Sequence, residues 1–211
     1  LIDRLPGAVR RHLEGATMKA LSHAMQAAHS SRSYVKDQQS WLNQAVSTAM
    51  GAAGGAGGLP TALAELPVTT TLLLRVIQGV AAEHGFDPSA ENVQFDCVHV
   101  FTAAGPLADD DSADLAFLSA RVALSGRAMQ AVIAKVAPRL ALVLGQKLAA
   151  QAVPVLGAVA GAATNYAYTS YYQDMAHVHF GLRKLAIEAD IPQEELVARL
   201  RKKMGSTPPK L

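Results

Sequence analysis

Apolar residues recur at three- and four-residue steps along most of the chain, the spacing that places them on one side of an α-helix. The first such stretch runs from Leu1 to His29 and carries basic residues between its apolar positions. It predicts a basic amphipathic helix, a pattern typical of helices that dock on their own protein's core and also of helices on membrane surfaces. A second helix is predicted from Ser33 to Met50.

A glycine-rich stretch, residues 51–58, follows these two helices. Its glycines are costly to order, which favours a hinge, although small residues also allow two backbones to pack closely. A long apolar segment then begins at Leu59-Pro60 and ends near Gly85, which suits a helix stop. Pro60 and Pro67 suit first-turn positions or a broken start. From Pro67 to Ala82, about 16 residues, the only charge is Arg75. This run is shorter than the ~20 residues of a membrane-spanning helix, so it predicts a buried core helix.

The remaining pattern predicts further helices separated by turn-forming residues. Asp87-Pro88-Ser89 is a predicted turn before a helix over residues 89–104, where dense apolar positions also allow a strand. Helices are predicted over 109–125 and 127–152, and Pro138 is expected to kink or divide the second. The last long helix is predicted over 154–190, and Pro192 begins another.

The pattern as a whole predicts an all-α fold, because it contains no series of alternating strands. We expect a multi-helix bundle of about seven or eight helices with a central apolar helix rich in glycine and alanine. The chain divides into an amphipathic helical N-terminal arm (1–50), a glycine-rich hinge (51–58), a helical domain (59–205) and a tail (206–211).

The amino-acid composition and the net charge limit the classes of function that the protein can have. Half of the 211 residues are apolar and 17% are charged, so the chain is more apolar than an average soluble domain. A net charge of +2 is too weak and too scattered to indicate nucleic-acid binding.

Cys97 is the only cysteine, which excludes an intramolecular disulfide and favours a reducing compartment. We expect it to be a small buried residue. Because the chain begins without Met and has no leader pattern, we expect it to be trimmed or partial.

The predicted helix over 154–190 carries the candidate ligand-binding residues. Gly157 and Gly161 form a GxxxG pair within the charge-free stretch from Ala152 to Thr169. Such a face suits tight core packing, contact with a membrane or a membrane span. Asn165 continues the same face, and a buried Asn is more often a structural clamp than a catalyst. The stretch also contains a cluster of tyrosines, which favour boundaries between water and apolar matter: Tyr166, Tyr168, Tyr171 and Tyr172.

Asp174, His177 and His179 raise the question of a metal site. Asp174 and His177 lie one helical turn apart, but His177 and His179 point in nearly opposite directions on a helix, so a third ligand must come from elsewhere. We therefore predict no metal site and a solvated or capped Asp-His pair. The sequence contains no known nucleophile, zinc-protease, phosphate-loop or dinucleotide-binding motif, and it names no cofactor.

Two separated blocks of the sequence form one recognisable pattern. The first combines Gly58-Leu59-Pro60 and Leu66-Pro67 with Thr70, Leu74, Arg75 and Ile77, and ends in Glu83, Gly85, Phe86 and Asp87. The second combines Pro154, Gly157-Ala158-Val159, Gly161, Asn165-Tyr166, Ala176 and Phe180. Together the two blocks resemble the EcsC family. The resemblance extends from about Gly58 to Leu185, and Thr164 departs from it where an apolar residue is expected. It implies a helical, intracellular protein of bacterial type in a membrane context, linked to an ABC transporter and to protein secretion, with no catalytic motif to carry over.

Three functional hypotheses follow. The leading one is a lipid-binding or membrane-associated protein, cytoplasmic or peripheral at the inner membrane, with the helix of residues 154–172 and the apolar segment 66–80 as walls. Its ligand-binding residues would be Arg75, Gly157, Gly161, Asn165, Tyr168 and Tyr172. The second is a hydrolase with a polar or metal site in the bundle, assembled from Arg75, Asp87, Asn165, Asp174 and His177. The third is a non-enzymatic module that regulates a membrane transporter or secretion component.

Overall fold

A computed structural model describes residues 15, 17–25, 48–49, 58–103, 105–106, 128–151 and 157–205, and every regular element in these ranges is an α-helix. The helices are α1 (Gly58–Glu83), α2 (Glu91–Val100), α3 (Ala128–Gln151), α4 (Gly157–Ala189) and α5 (Gln193–Gly205). Residues 17–25 and 48–49 are also helical. The all-α prediction is therefore confirmed for the described part of the chain, and the strand allowed within 89–104 is not formed.

The finer predictions of architecture have different outcomes. The predicted number of seven or eight helices is not confirmed, because the predicted helix over 109–125 and most of the one over 33–50 lie outside the described residues. The glycine-rich stretch 51–57 and the tail 206–211 also lie outside them, so the division into arm, hinge, domain and tail stays a prediction.

Two prolines lie inside helices where the sequence predicted a helix start or a break. Pro67 is well inside the continuous helix α1, so its assignment to a first turn or a broken start is wrong. Pro138 lies inside α3 and does not divide it. A proline in a helix removes one backbone hydrogen bond and crowds the preceding turn, at a cost of ~3 kcal/mol. Burial of each helix's apolar side offsets this cost, because tertiary packing supplies most of a helix's stability.

The ends of α1 and α4 share one backbone motif. The N–H of Gly85 donates to the carbonyl of Ala82 at 2.9 Å, and that of Phe86 to Ala81 at 3.0 Å. Gly85 has a φ of 87°, the left-handed conformation that ends many helices. This confirms Gly85 as the stop of α1. α4 ends in the same way, with Asp190 in the left-handed position at a φ of 52°.

The core lies where α1, α2, α3 and α4 meet, and α4 contacts each of the other four helices. Its large buried side chains include Leu73, Ile77, Phe101, Leu140, Tyr168, Tyr172 and Phe180. Cys97 is fully buried, as predicted. In the helical residues 17–25, Leu21 and Ala24 belong to the same core, whereas Lys19 is exposed. This part of the arm therefore docks on the protein itself.

The two sides of α4 have different environments. One side is buried in the core, while Val159 and Tyr166 on the other are 72% and 52% exposed, and Asp174 is also exposed. The predicted central apolar helix is consequently not confirmed, because α4 is amphipathic in its surroundings. None of the described helices combines the length and the apolarity that crossing a bilayer requires.

Candidate functional site

Four of the six residues predicted to bind a ligand lie together on the buried side of α4. They follow one another at helical steps of four, three and four residues: Gly161, Asn165, Tyr168 and Tyr172. The hydroxyl of Tyr168 donates to the carbonyl of Val143 in α3 at 2.9 Å. The ring of Tyr172 packs edge-on against Phe101, with 5.2 Å between centroids. This face therefore joins α4 to the core.

The other two predicted residues lie elsewhere. Arg75 is partly buried on α1, and Gly157 is the first residue of α4, where the surroundings are not described. Burial raises the pKa of Tyr168 above its usual range, so its hydroxyl stays protonated and remains a donor to Val143. Ligand binding by the six residues stays a prediction.

A polar site that the sequence did not predict lies where the end of α1 meets the middle of α4. Nε2 of His84 is 3.2 Å from Nδ1 of His177, and the two rings meet at an interplanar angle of 65°. We call these residues the histidine pair. On the other side of the second ring, Nε2 of His177 is 3.8 Å from Oε2 of Glu83, close enough for an ion pair when His177 is protonated.

One helical turn further along α4, a second group of polar side chains contacts α2. Arg183 donates from Nη1 to Oδ2 of Asp96, and Oδ1 of Asp96 is 3.5 Å from Nε2 of the buried His179. The guanidinium of Arg183 also lies 4.6 Å from the centroid of the Phe86 ring. Phe86 packs in turn against Phe180. We call Asp96, His179 and Arg183 the Asp96 cluster.

The environment of His84 disfavours its charged form. Burial is the main cause that lowers its pKa, followed by the positive charges of His177 and Lys184, while Glu83 acts in the opposite direction. A neutral imidazole has one donor and one acceptor nitrogen. His84 is thus suited to a hydrogen bond with a second imidazole near neutral pH.

The arrangement supports proton exchange and ion pairing. His177 contacts the end of α1 and His179 contacts α2, which confirms that the two rings point to different sides of α4.

The residues considered for a metal site do not lie together. Asp174 is exposed, and the described contacts of His177 are with His84 and Glu83. Within the described ranges, no group of three or more histidine, cysteine, aspartate or glutamate residues is arranged to hold a metal ion.

Sequence reasoning missed the histidine pair because its members are 93 residues apart. Helical spacing indicates which side of a helix a residue occupies, but it does not identify the partner on another helix. One feature of the sequence could have indicated the site: Glu83 and His84 lie beside the helix stop at Gly85, where the end of a helix packs against a neighbouring helix.

The comparison with protein-family models found a family whose model spans both of the sequence blocks described above. Searches of curated proteins and of solved structures found no significant match. The model of the EcsC protein family matches residues 5–185, which is more than half of the 211 residues. The chain therefore belongs to the EcsC protein family.

Proposed function

We propose that this protein binds the surface of membranes that contain anionic lipid, through the exposed side of the first half of α4. This side, which we call the α4 outer face, consists of Val159, Ala163 and Tyr166. The observation that carries the proposal is the exposure of Val159 and Tyr166, at 72% and 52%, in a stretch without charge from residue 152 to residue 173.

The chemistry of the α4 outer face suits the boundary of a bilayer. A valine side chain gains roughly 1.5–3 kcal/mol when it is fully removed from water, and a tyrosine can place its ring in the apolar region while its hydroxyl stays hydrated. The opposite side of α4 is held in the core by Tyr168 and Tyr172. The outer face is therefore presented rigidly, without a cost for ordering it on binding.

This proposal revises the surface that the sequence suggested. The helix of residues 154–172 is retained, but Tyr168 and Tyr172 serve its attachment to the core and the contact with lipid is assigned to Val159 and Tyr166. In the apolar segment 66–80, Leu73 and Ile77 belong to the core. The net charge of +2 supplies a mild attraction to anionic lipid, which we infer is secondary to apolar contact.

The test is cosedimentation of the protein with vesicles of phosphatidylcholine, with and without phosphatidylglycerol. We expect binding to the anionic vesicles and a loss of roughly tenfold in affinity, about 1.4 kcal/mol, for Val159→Glu. Ile187→Glu is the matched control, because Ile187 is 65% exposed on the same helix but outside the uncharged stretch. If the wild type fails to sediment with either vesicle, or both variants bind equally, the proposal is wrong.

The hydrolase and the transporter-regulating module stay predictions. The described contacts of Asp87 are with Ser89, in the turn before α2, and those of His177 are with His84 and Glu83. These contacts account for the two side chains by local structure and by helix pairing, so they add no support to a catalytic site.

A further inference from the structure

We propose that the histidine pair is a pH-sensitive contact, which holds the end of α1 on α4 near neutral pH and opens when both imidazoles are protonated. This inference is independent of lipid binding. It assigns a regulatory role to side chains on the second half of α4, whereas the α4 outer face lies on the first half.

The hydrogen-bonding capacity of imidazole limits how many protons the two rings can carry while their contact remains. Nε2 of His84 and Nδ1 of His177 are 3.2 Å apart, a distance at which one nitrogen must donate and the other accept. A neutral ring offers one of each, and an imidazolium offers two donors. The contact can thus form between two neutral rings or between one neutral and one charged ring. Two charged rings would place an N–H against an N–H and repel each other.

Charged side chains from both helices surround the histidine pair. Glu83, on α1, lies 3.8 Å from the outer nitrogen of His177, so a proton on His177 gains an opposite charge. Lys184, two turns beyond His177 on α4, adds positive charge, although its ammonium is 3.8 Å from Glu188. We infer that protonation of His84, whose charged form the surroundings disfavour, is the step that breaks the contact.

The direction of the pH effect follows from the lowered pKa of His84, which burial and the charges of His177 and Lys184 cause. As the pH falls below the ordinary histidine pKa of ~6.5, the open form binds a proton on His84 that the closed form does not. The closed contact therefore loses stability with falling pH, until the lowered pKa of His84 is reached. Above the ordinary value the contact is at full strength.

The backbone around His84 suits local opening. His84 is the first residue after α1 and precedes Gly85 in its left-handed conformation. On α4, a Cβ at Gly181 would lie 3.6 Å from Cε1 of His84, an ordinary contact distance, so α4 does not hold the ring tightly at this position. Phe86 keeps its separate contact with Phe180, which involves no titratable group. Protonation therefore loosens the turn after α1 without detaching the helix.

The first measurement is NMR titration of the histidine Cε1–H signals of the full chain from pH 8 to pH 5, with EDTA present to remove metal ions. In the wild type, His84 should titrate at a lower pH than in His177→Gln, because the variant lacks the neighbouring positive charge. The exposed His23, replaced in His23→Gln, is the control, and this substitution should leave the midpoint of His84 unchanged. An unchanged midpoint in His177→Gln would overturn the proposal.

The second measurement reports the opening itself. Hydrogen–deuterium exchange of the amides of residues 84–87, 89 and 90, corrected for the intrinsic pH dependence, should become severalfold faster at pH 5.5 than at pH 7.5 in the wild type. His84→Gln should abolish this difference because glutamine cannot gain a proton, whereas His23→Gln should preserve it. An equal difference in His84→Gln would contradict the proposal. Because this comparison uses His84→Gln, it stays decisive even if His177→Gln fails to fold.

Discussion

At the scale of single residues, two neighbouring tyrosines of α4 have opposite roles. Tyr168 is 1% exposed and Tyr166 is 52% exposed, although only one residue separates them. A separation of two positions turns a side chain by about 200° on a helix, so one ring enters the core while the other faces outward. The tyrosine cluster in the sequence therefore combines structural and surface residues.

The hydrogen bond between Tyr168 and Val143 leads to a first prediction. Tyr168→Phe keeps the ring but removes the donor to a buried carbonyl, so we expect the free energy of unfolding to fall by about 1 kcal/mol. Urea denaturation monitored by circular dichroism would measure this change. Tyr166→Phe is the matched control and should differ little from the wild type. Equal losses in the two variants would argue against a specific role for the hydroxyl of Tyr168.

Arg183 makes two contacts, of which lysine could reproduce the ion pair but not the planar stacking. Its planar guanidinium donates to Asp96 and lies 4.6 Å from the centroid of the Phe86 ring, with only 19% of the side chain exposed. Arg183→Lys keeps the charge but loses the planar stacking, and we expect a loss of about 1–2 kcal/mol in unfolding free energy.

The control for this substitution is Arg199→Lys, measured in the same denaturation experiment. The side chain of Arg199 is 63% exposed and pairs with Glu195 within α5. Exposed pairs of this kind contribute roughly 0.3–0.5 kcal/mol, so the control should have little effect. If both variants lose the same stability, the contact with Phe86 does not contribute measurably.

At the scale of helices, the ends of α1 and α4 predict effects of opposite sign. Asp190 occupies a left-handed position with a φ of 52°, which glycine adopts without strain. We expect Asp190→Gly to raise the unfolding free energy by about 0.5–1 kcal/mol. The reverse change, Gly85→Ala at a φ of 87°, should lower it by about 1 kcal/mol, although a Cβ there meets nothing within 4 Å. Thermal denaturation at one pH would compare the variants, and a gain in both would contradict the argument from backbone strain.

The positions of the helices could be predicted well from the sequence, but the effect of prolines within them could not. The predicted spans 127–152 and 154–190 correspond to Ala128–Gln151 and Gly157–Ala189, because long apolar periodicity and terminal turn residues define them. The prediction for Pro67 was wrong because local propensity disfavours a proline inside a helix, whereas packing stabilises the continuous helix α1. The cost of an interior proline is local, whereas the burial that offsets it depends on helices distant in the sequence.

At the scale of the whole molecule, the candidate site could be predicted only in part. Gly161 and Asn165 were correctly placed on one side of a helix, because helical geometry fixes relative positions within one element. Tyr168 and Tyr172, expected at a boundary between water and apolar matter, are instead buried on that side. The Asp96 cluster and the histidine pair were not predicted, because each joins α4 to another helix. Asp96 and Arg183 are 87 residues apart, and no pattern within either helix identifies the other.

The contacts of α4 also have a consequence for synthesis of the chain. His84 meets His177 only after 93 further residues have been added, which takes roughly 5–20 s at a translation rate of roughly 5–20 residues per second. Helices form within about a microsecond, so α1 and α2 can become helical long before α4 exists. During this interval the sides of Leu73, Ile77 and Phe101 that later meet α4 lack that covering. The nascent chain therefore offers an apolar surface to ribosome-associated chaperones until α4 leaves the exit tunnel.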